Sequence, residues 1–190
     1  MAGNVATVIQ PGERTPAPEP LVLVQDLVNT VDLEQERDVL MRPADLGMFC
    51  ADHGLPGLRF DSAGLAEVLT LRESVRDVCQ AHAGIDVPAA SLATLDGMLE
   101  EAPLTLVMSA DGSVTIRPAG GLNDVRALVA RLAADIAMAS ADGTWQRLKA
   151  CAADTCRWVY YDRSPAGRSR WCTMSICGAR NKMRKYRARS

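Results

Sequence analysis

The chain has 190 residues, 48% hydrophobic and 23% charged, with a formal net charge of −2. That length accommodates one domain of ordinary size, about 100–150 residues, beside a small module. No apolar run approaches the ~18–20 residues that cross a bilayer, and no basic start leads into an apolar stretch, so the expectation is a cytoplasmic protein with reduced thiols and no membrane partner.

Residues 1–20 end in PGERTPAPEP and show no hydrophobic periodicity, which predicts a disordered arm. From Leu21 to Val31 the apolar positions Leu21, Val24, Leu27, Val28 and Val31 fit one helical face. Asn29, Thr30 and Asp32 supply capping chemistry at its end. Pro43 to His53 opens with helix-start residues and closes on Gly54. Asp61 caps a longer helix to His82, with Leu65, Val68, Leu69, Val75 and Cys79 inward. Pro88 to Glu101 reads as helix again, closed by Pro103. Leu104–Met108 and Ser113–Arg117 then alternate as strands joined through Asp111-Gly112, a hairpin by its turn residues. A last helix runs from Asn123 to Ala139, and Asp142-Gly143 marks a boundary. The helices of residues 21–140 supply enough inward positions to predict that this part folds alone. Trp145 and Leu148 are expected to dock the C-terminal residues against it.

The C-terminal quarter of the chain differs in charge. Residues 145–190 hold 12 Lys and Arg against 2 Asp and Glu, while residues 1–144 hold 9 against 21. A cationic module behind an acidic one points to a nucleic-acid partner. Within it, Cys151, Cys156, Cys172 and Cys177 form two C-x4-C pairs fifteen residues apart, set among Arg, Asp, Ser and Gly. Two short cysteine loops facing each other supply a tetrahedral thiolate set, so the reading is one structural zinc ion with no catalytic role. Arg157–Tyr161 is β-prone and Arg168–Trp171 comes after a Pro/Gly turn, which predicts a hairpin between the two pairs. From Ser175 a helix is expected, with Ile176, Ala179, Met183 and Tyr186 in one narrow apolar stripe. Arg180, Arg184 and Arg187 flank that stripe on one side, Lys182, Lys185 and Arg189 on the other, and Asn181 faces outward between them. The hairpin arginines Arg163, Arg168 and Arg170 are further cations for phosphate.

Other constellations carry less. Cys50-x-x-His53 and Cys79-x-x-His82 each put a thiol and an imidazole one helical turn apart and could close a second zinc site, although buried core cysteines explain them as well. Trp158, Tyr160, Tyr161 and Trp171 could stack on unpaired bases, but alternation in a small hairpin favours packing around the metal. Neither an oxyanion donor nor a phosphate-binding glycine loop is identifiable, so no enzyme is expected.

The residues Tyr161-Asp162-Arg163-Ser164, Arg170-Trp171-Cys172-Thr173-Met174 and Cys177-Gly178-Ala179-Arg180 resemble the CGNR zinc-finger family. The chain departs from that family where Ala179 replaces the motif asparagine. Leu21–Thr30, Pro-Ala-Asp-Leu at 43–46 and Leu-Arg-Glu-Ser-Val at 71–75 resemble the ABATE domain. The resemblance implies a stress-induced transcription regulator, with the finger on double-stranded DNA and the upstream domain sensing a small-molecule effector or forming a homodimer. It also makes Asn29 a candidate pocket residue, against the local capping role.

The expectation is therefore an α+β chain: an arm over residues 1–20, a mainly helical ABATE-like domain with one small β-hairpin over residues 21–143, and a zinc finger of a β-hairpin and a basic helix over residues 144–190. Zinc and DNA are its expected partners. An RNA-binding or ribosome-associated zinc protein, or a zinc-dependent protein-interaction module, would carry the same features.

Overall fold

The computed structural model describes residues 14–188. At its centre is a seven-residue helix, α1 (Val22–Val28), which buries Leu23, Val24, Gln25, Leu27 and Val28. Helices α2 (Pro43–Asp52), α3 (Ser62–Ala81), α4 (Ala89–Glu100) and α5 (Val125–Ala141) succeed it in chain order. Their starts are set locally. Asp61 accepts from Gly64 N at 2.8 Å and Asp124 from Arg126 N at 3.0 Å, each satisfying a backbone donor that the first turn leaves unpaired. Pro43 opens α2, and the Asp45 carboxylate reaches back to Arg42 N at 2.9 Å. Strands β3 (Leu104–Met108) and β4 (Val114–Pro118) pair antiparallel from Leu104↔Pro118 to Met108↔Val114, with Gly112 left-handed at φ 83° in the turn. A second, two-residue hairpin, β1 (Val31–Asp32) with β2 (Arg37–Asp38), is too short for periodicity to show. Arg72 holds it with a two-pronged contact to Asp38, at 2.9 and 2.7 Å, and a third bond to Thr30 Oγ1 at 3.0 Å. No helix among the described residues is long and apolar enough to cross a membrane.

Behind α5, a 3-10 turn (Trp145–Arg147) leads into β5 (Leu148–Ala150), which pairs antiparallel with β6 (Val159–Tyr161). A π-helical turn (Met174–Gly178) then runs into α6 (Ala179–Arg187). The finger thus has its hairpin and its basic helix, but the hairpin lies elsewhere than the spacing predicts. β6 pairs backwards across the first cysteine pair, and residues 162–170 return as a loop. The reason is Asp162, which accepts from Ser164 N at 3.1 Å, Ser169 N at 2.9 Å and Ser169 Oγ at 2.9 Å and so winds the chain around one buried carboxylate. Lys149 closes this ion pair at 3.0 Å, with the two side chains 4% and 0% exposed.

The other edge of β6 faces α1. Asn29 Nδ2 donates to Val159 O at 2.8 Å and Val159 N donates to Asn29 Oδ1 at 2.9 Å, so a single side chain pairs with the strand as a neighbouring strand would. Gln25 Nε2 adds a bond to the same carbonyl at 3.2 Å. Leu148, Ala150, Val159 and Tyr161 belong to one apolar cluster with Leu21, Val24, Leu27 and Val28. The core of the helical part is therefore completed by strands of the finger, where the sequence suggests two separable cores.

Of the arm expected over residues 1–20, residues 1–13 lie outside the described residues, whereas Arg14, Ala17, Pro18 and Pro20 are at least partly buried. The Arg14 guanidinium donates to Cys172 O and lies 4.6 Å over the Tyr160 ring. Ala17 is buried, its N–H bonded to Gln25 Oε1 at 2.6 Å. Arg163 Nη2 donates to Pro16 O at 2.8 Å. This segment ties α1 to the finger from outside.

Candidate metal centre and nucleic-acid interface

The four cysteines of the two C-x4-C pairs converge. Cys151 comes directly after β5, Cys156 closes a tight loop in which its N–H reaches Ala153 O at 2.9 Å, Cys172 lies just past the Asp162 loop, and Cys177 sits in the π turn. Their sulfurs all lie within 4.8 Å of one another. Cys156 Sγ and Cys177 Sγ each lie 3.6 Å from Cys172 Sγ. A tetrahedron with metal–sulfur bonds of about 2.3 Å has edges of about 3.8 Å, whereas a disulfide brings its sulfurs to about 2.05 Å. The geometry therefore fits one structural Zn²⁺ held by four thiolates and no disulfide. Hydrogen bonds from Cys156 and Cys172, with the N–H groups of Cys172 and Ala153, hold Cys151 toward its thiolate, and the bonds that Cys156 makes to Cys151 and Cys172, with burial, push the Cys156 thiol up in turn. Tyr160, Trp158 and Trp171 pack around the sulfurs, which fits the packing role for these aromatics.

The second cysteine–histidine constellation does not assemble. Cys50 and Cys79 are fully buried in the helical core, where desolvation pushes each thiol up to about 12. His53 turns to Asp26 and Phe49 O, and His82 Nδ1 to Leu148 O at 2.7 Å. Among the described residues only the four finger cysteines form a metal-binding group of this kind.

Asn29, the candidate pocket residue, lines neither the 490 Å³ cleft between α3 and α4 nor the 180 Å³ cavity among α3, α4 and α5. Both ends of its amide are spent on Val159. Its partners in fastening the finger were not legible in the motif. Arg76, fully buried, donates to Val28 O at 2.6 Å and to Arg157 O at 3.0 Å. Arg157, left-handed at φ 49° beside Cys156, pairs with Asp77 of α3. A polar residue at a position helical periodicity assigns to the core, as Gln25, Arg72 and Arg76 are, was the available signal.

α6 leaves Cys177 within two residues and buries none of its side chains. Arg180, Lys182, Arg184, Lys185 and Arg187 are exposed along it, and Arg189 lies outside the described residues. Arg180 pairs with Glu34 in the β1–β2 turn, and Arg184 reaches Asp154 at 3.5 Å. Asn181 is half-exposed and accepts from Arg184 Nη2 at 3.3 Å. The apolar stripe beside these cations is left uncovered, with Ile176 at 44% and Met183 at 52% exposure. Ala179, in place of the motif asparagine, is exposed, and nothing around it explains the replacement. Arg163 lies 5.1 Å over the Tyr161 ring, with Arg168 and Arg170 exposed on the same loop.

Residues 147–190 match the family model described as CGNR zinc finger. Residues 21–144 match the model named ABATE, described as "Putative stress-induced transcription regulator". The second description is that of a regulator and the first that of a zinc finger. No curated protein matches the chain.

Proposed function

Because the chain belongs to the ABATE family of transcription regulators and ends in a CGNR zinc finger, we propose that it regulates transcription by reading duplex DNA with α6. The observation that carries this reading is a cationic helix with no buried residue whose first turn is tied to the cysteine cluster. Bound at Cys151, Cys156, Cys172 and Cys177, zinc supplies a closed structural cross-link that leaves no coordination position for chemistry. The π turn carries that rigidity into α6, so the helix enters a groove in one orientation.

In this proposal Lys182, Arg184, Lys185, Arg187 and Arg189 contact phosphates, each contributing about 0.9 to the slope of log affinity against log salt. Arg180 and Asn181 are the base readers in this proposal, since Arg bridges guanine and Asn bridges adenine in the major groove. Arg163, Arg168 and Arg170 add phosphate contacts from the finger loop. In the free protein Arg180 lies on Glu34 and Asn181 on Arg184, so DNA has to exchange these partners. The acidic N-terminal part is the regulatory half, sensing an effector or pairing two chains.

Selection of sites from a random duplex pool with the zinc-loaded chain tests this directly. Lys185→Ala should weaken all sequences alike, while Asn181→Ala should cost roughly 1–3 kcal/mol at one base position and relax its preference. Equal or tighter binding to structured RNA at the same salt, or no effect of either substitution in protein that retains zinc, would overturn it.

A further inference from the structure

Helices α3, α4 and α5 line a half-open cavity of about 180 Å³ walled by Leu71, Val75, Leu95, Leu132, Ile136 and the indole of Trp145. Leu71 and Leu132 are buried and make a fixed floor. α4 is a looser lid. It has no buried residue and no side-chain cap, and its first turn is held by Ser91 Oγ donating to Asp77 Oδ2 at 2.5 Å. We propose that this cavity binds a small, uncharged, largely apolar or aromatic molecule and passes its occupancy to the first cysteine pair of the finger. The proposal rests on the acidic part being the effector-sensing half, to which it gives a site and a ligand class, and it does not depend on what α6 binds.

The walls decide the chemistry. A water in such a space needs two to four polar partners, and the indole N–H is the only polar group the lining side chains offer. A charged ligand would lose its hydration with nothing to replace it. An apolar one gains contact atoms from the lining side chains, and a cavity of ~150 Å³ already takes benzene, so the fitting occupant has roughly seven to ten non-hydrogen atoms.

Two physical links leave the cavity, and both end at the finger. Trp145 stands edge-on to the His82 ring at 5.0 Å and 88°, and His82 bonds Leu148 O in β5, the strand that runs into Cys151. From the lid, Ser91 binds Asp77, and Asp77 pairs with Arg157 beside Cys156. An occupant that lifts α4 or turns the indole therefore acts on groups bonded to both ends of the Cys151–Cys156 loop.

The test uses the full zinc-loaded chain, toluene as probe and benzoate as its charged counterpart, read by NMR of methyl groups, indole N–H and backbone amides. Saturable toluene shifts are expected at Leu71, Leu95, Leu132 and Ile136, with accompanying shifts at the Trp145 indole, His82 and the Cys151 and Cys156 amides. Benzoate should give none. Ala133→Leu, which fills the cavity from α5, should weaken toluene at least tenfold, and Leu99→Phe at the exposed rim serves if that variant does not fold. Absence of saturation up to the solubility of toluene, equal binding of benzoate, or undiminished binding in a folded filled variant would overturn the site. Saturation of the cavity with no response at His82 or the cysteine amides would overturn the coupling.

Discussion

The amide of Asn29 and the backbone of Val159, 130 positions apart, exchange two hydrogen bonds of 2.8 and 2.9 Å. One side chain thereby closes the free edge of a three-residue strand and joins the first helix of the chain to its zinc finger. Asn29→Ala removes both partners and leaves a buried N–H unsatisfied and a buried carbonyl short of its best donor. The expected loss is about 2–4 kcal/mol of unfolding free energy. Denaturant unfolding of the zinc-loaded protein, at unchanged slope, measures it. A loss below about 1 kcal/mol would mean that Gln25 alone holds the strand.

Chelation of the metal should disturb the helical part as well as the finger. Val159 and Leu148 lie in one cluster with Val24, Leu27 and Val28, so their departure opens the wall of the central helix. Metal analysis should find one zinc per chain, lost in Cys172→Ser. Hydrogen exchange after chelation should then show α1 amides exchanging with those of β5 and β6. A chain ending at Gly143 is expected to melt without a cooperative transition, and a sharp metal-independent transition would refute the shared core.

The two histidines oppose each other in pH. Burial disfavours charge on His53, but Asp26 at 3.1 Å and Phe49 O at 2.8 Å accept hydrogen bonds from the two N–H groups of the protonated ring and raise its pKa above 6.5. Its contribution is complete below about 6.5 and is lost as pH rises through the raised value. His82, desolvated and offered one carbonyl, has its pKa lowered. Its contribution is complete above about 6.5 and is lost as pH falls toward the lowered value. His53→Gln should therefore cost more at pH 5.5 than at pH 8, and His82→Gln the reverse. NMR titration should resolve one imidazole on each side of 6.5.

Lys149→Met should leave the Asp162 carboxylate, fully buried, with its serine donors but no counter-charge. Desolvation acts against that charge, while bonds from Ser164, Lys149 and Ser169 hold its pKa well below the usual carboxylate range. Breaking a buried pair from one side costs about 3–5 kcal/mol. Unfolding of the zinc-loaded variant, with amide exchange across residues 163–169, checks both the size and the place of the effect.

The elements legible in the sequence are those whose causes are local. Asp61 announces its helix within three residues, Asp111-Gly112 its turn, and the paired cysteines their cluster by spacing alone. Local signals misplaced the finger hairpin, because the partner of β6 is chosen by Asn29 on one side and Leu148–Ala150 on the other. They also gave Asp162 no role beyond a motif letter, since its donors Lys149 and Ser169 sit on two different segments. The stripe of Ile176 and Met183 has helical periodicity but no surface against it, because α6 runs past the edge of the core. Periodicity reports which faces could be buried, and only the path of the whole chain decides which are.

The Arg14–Cys172 and Asn29–Val159 contacts also set the order of events at the ribosome. α1 is made well before β5 and β6, and its apolar surface meets Leu148 and Val159 only when those strands have emerged. Until then the nascent helices present an unfinished core, a state prone to self-association. Completing this core requires contact between residues 130 positions apart, a slow kind of search. A chain truncated before β5 is thus expected to leave the apolar face of α1 without Leu148 and Val159, an N-terminal fragment with an open core.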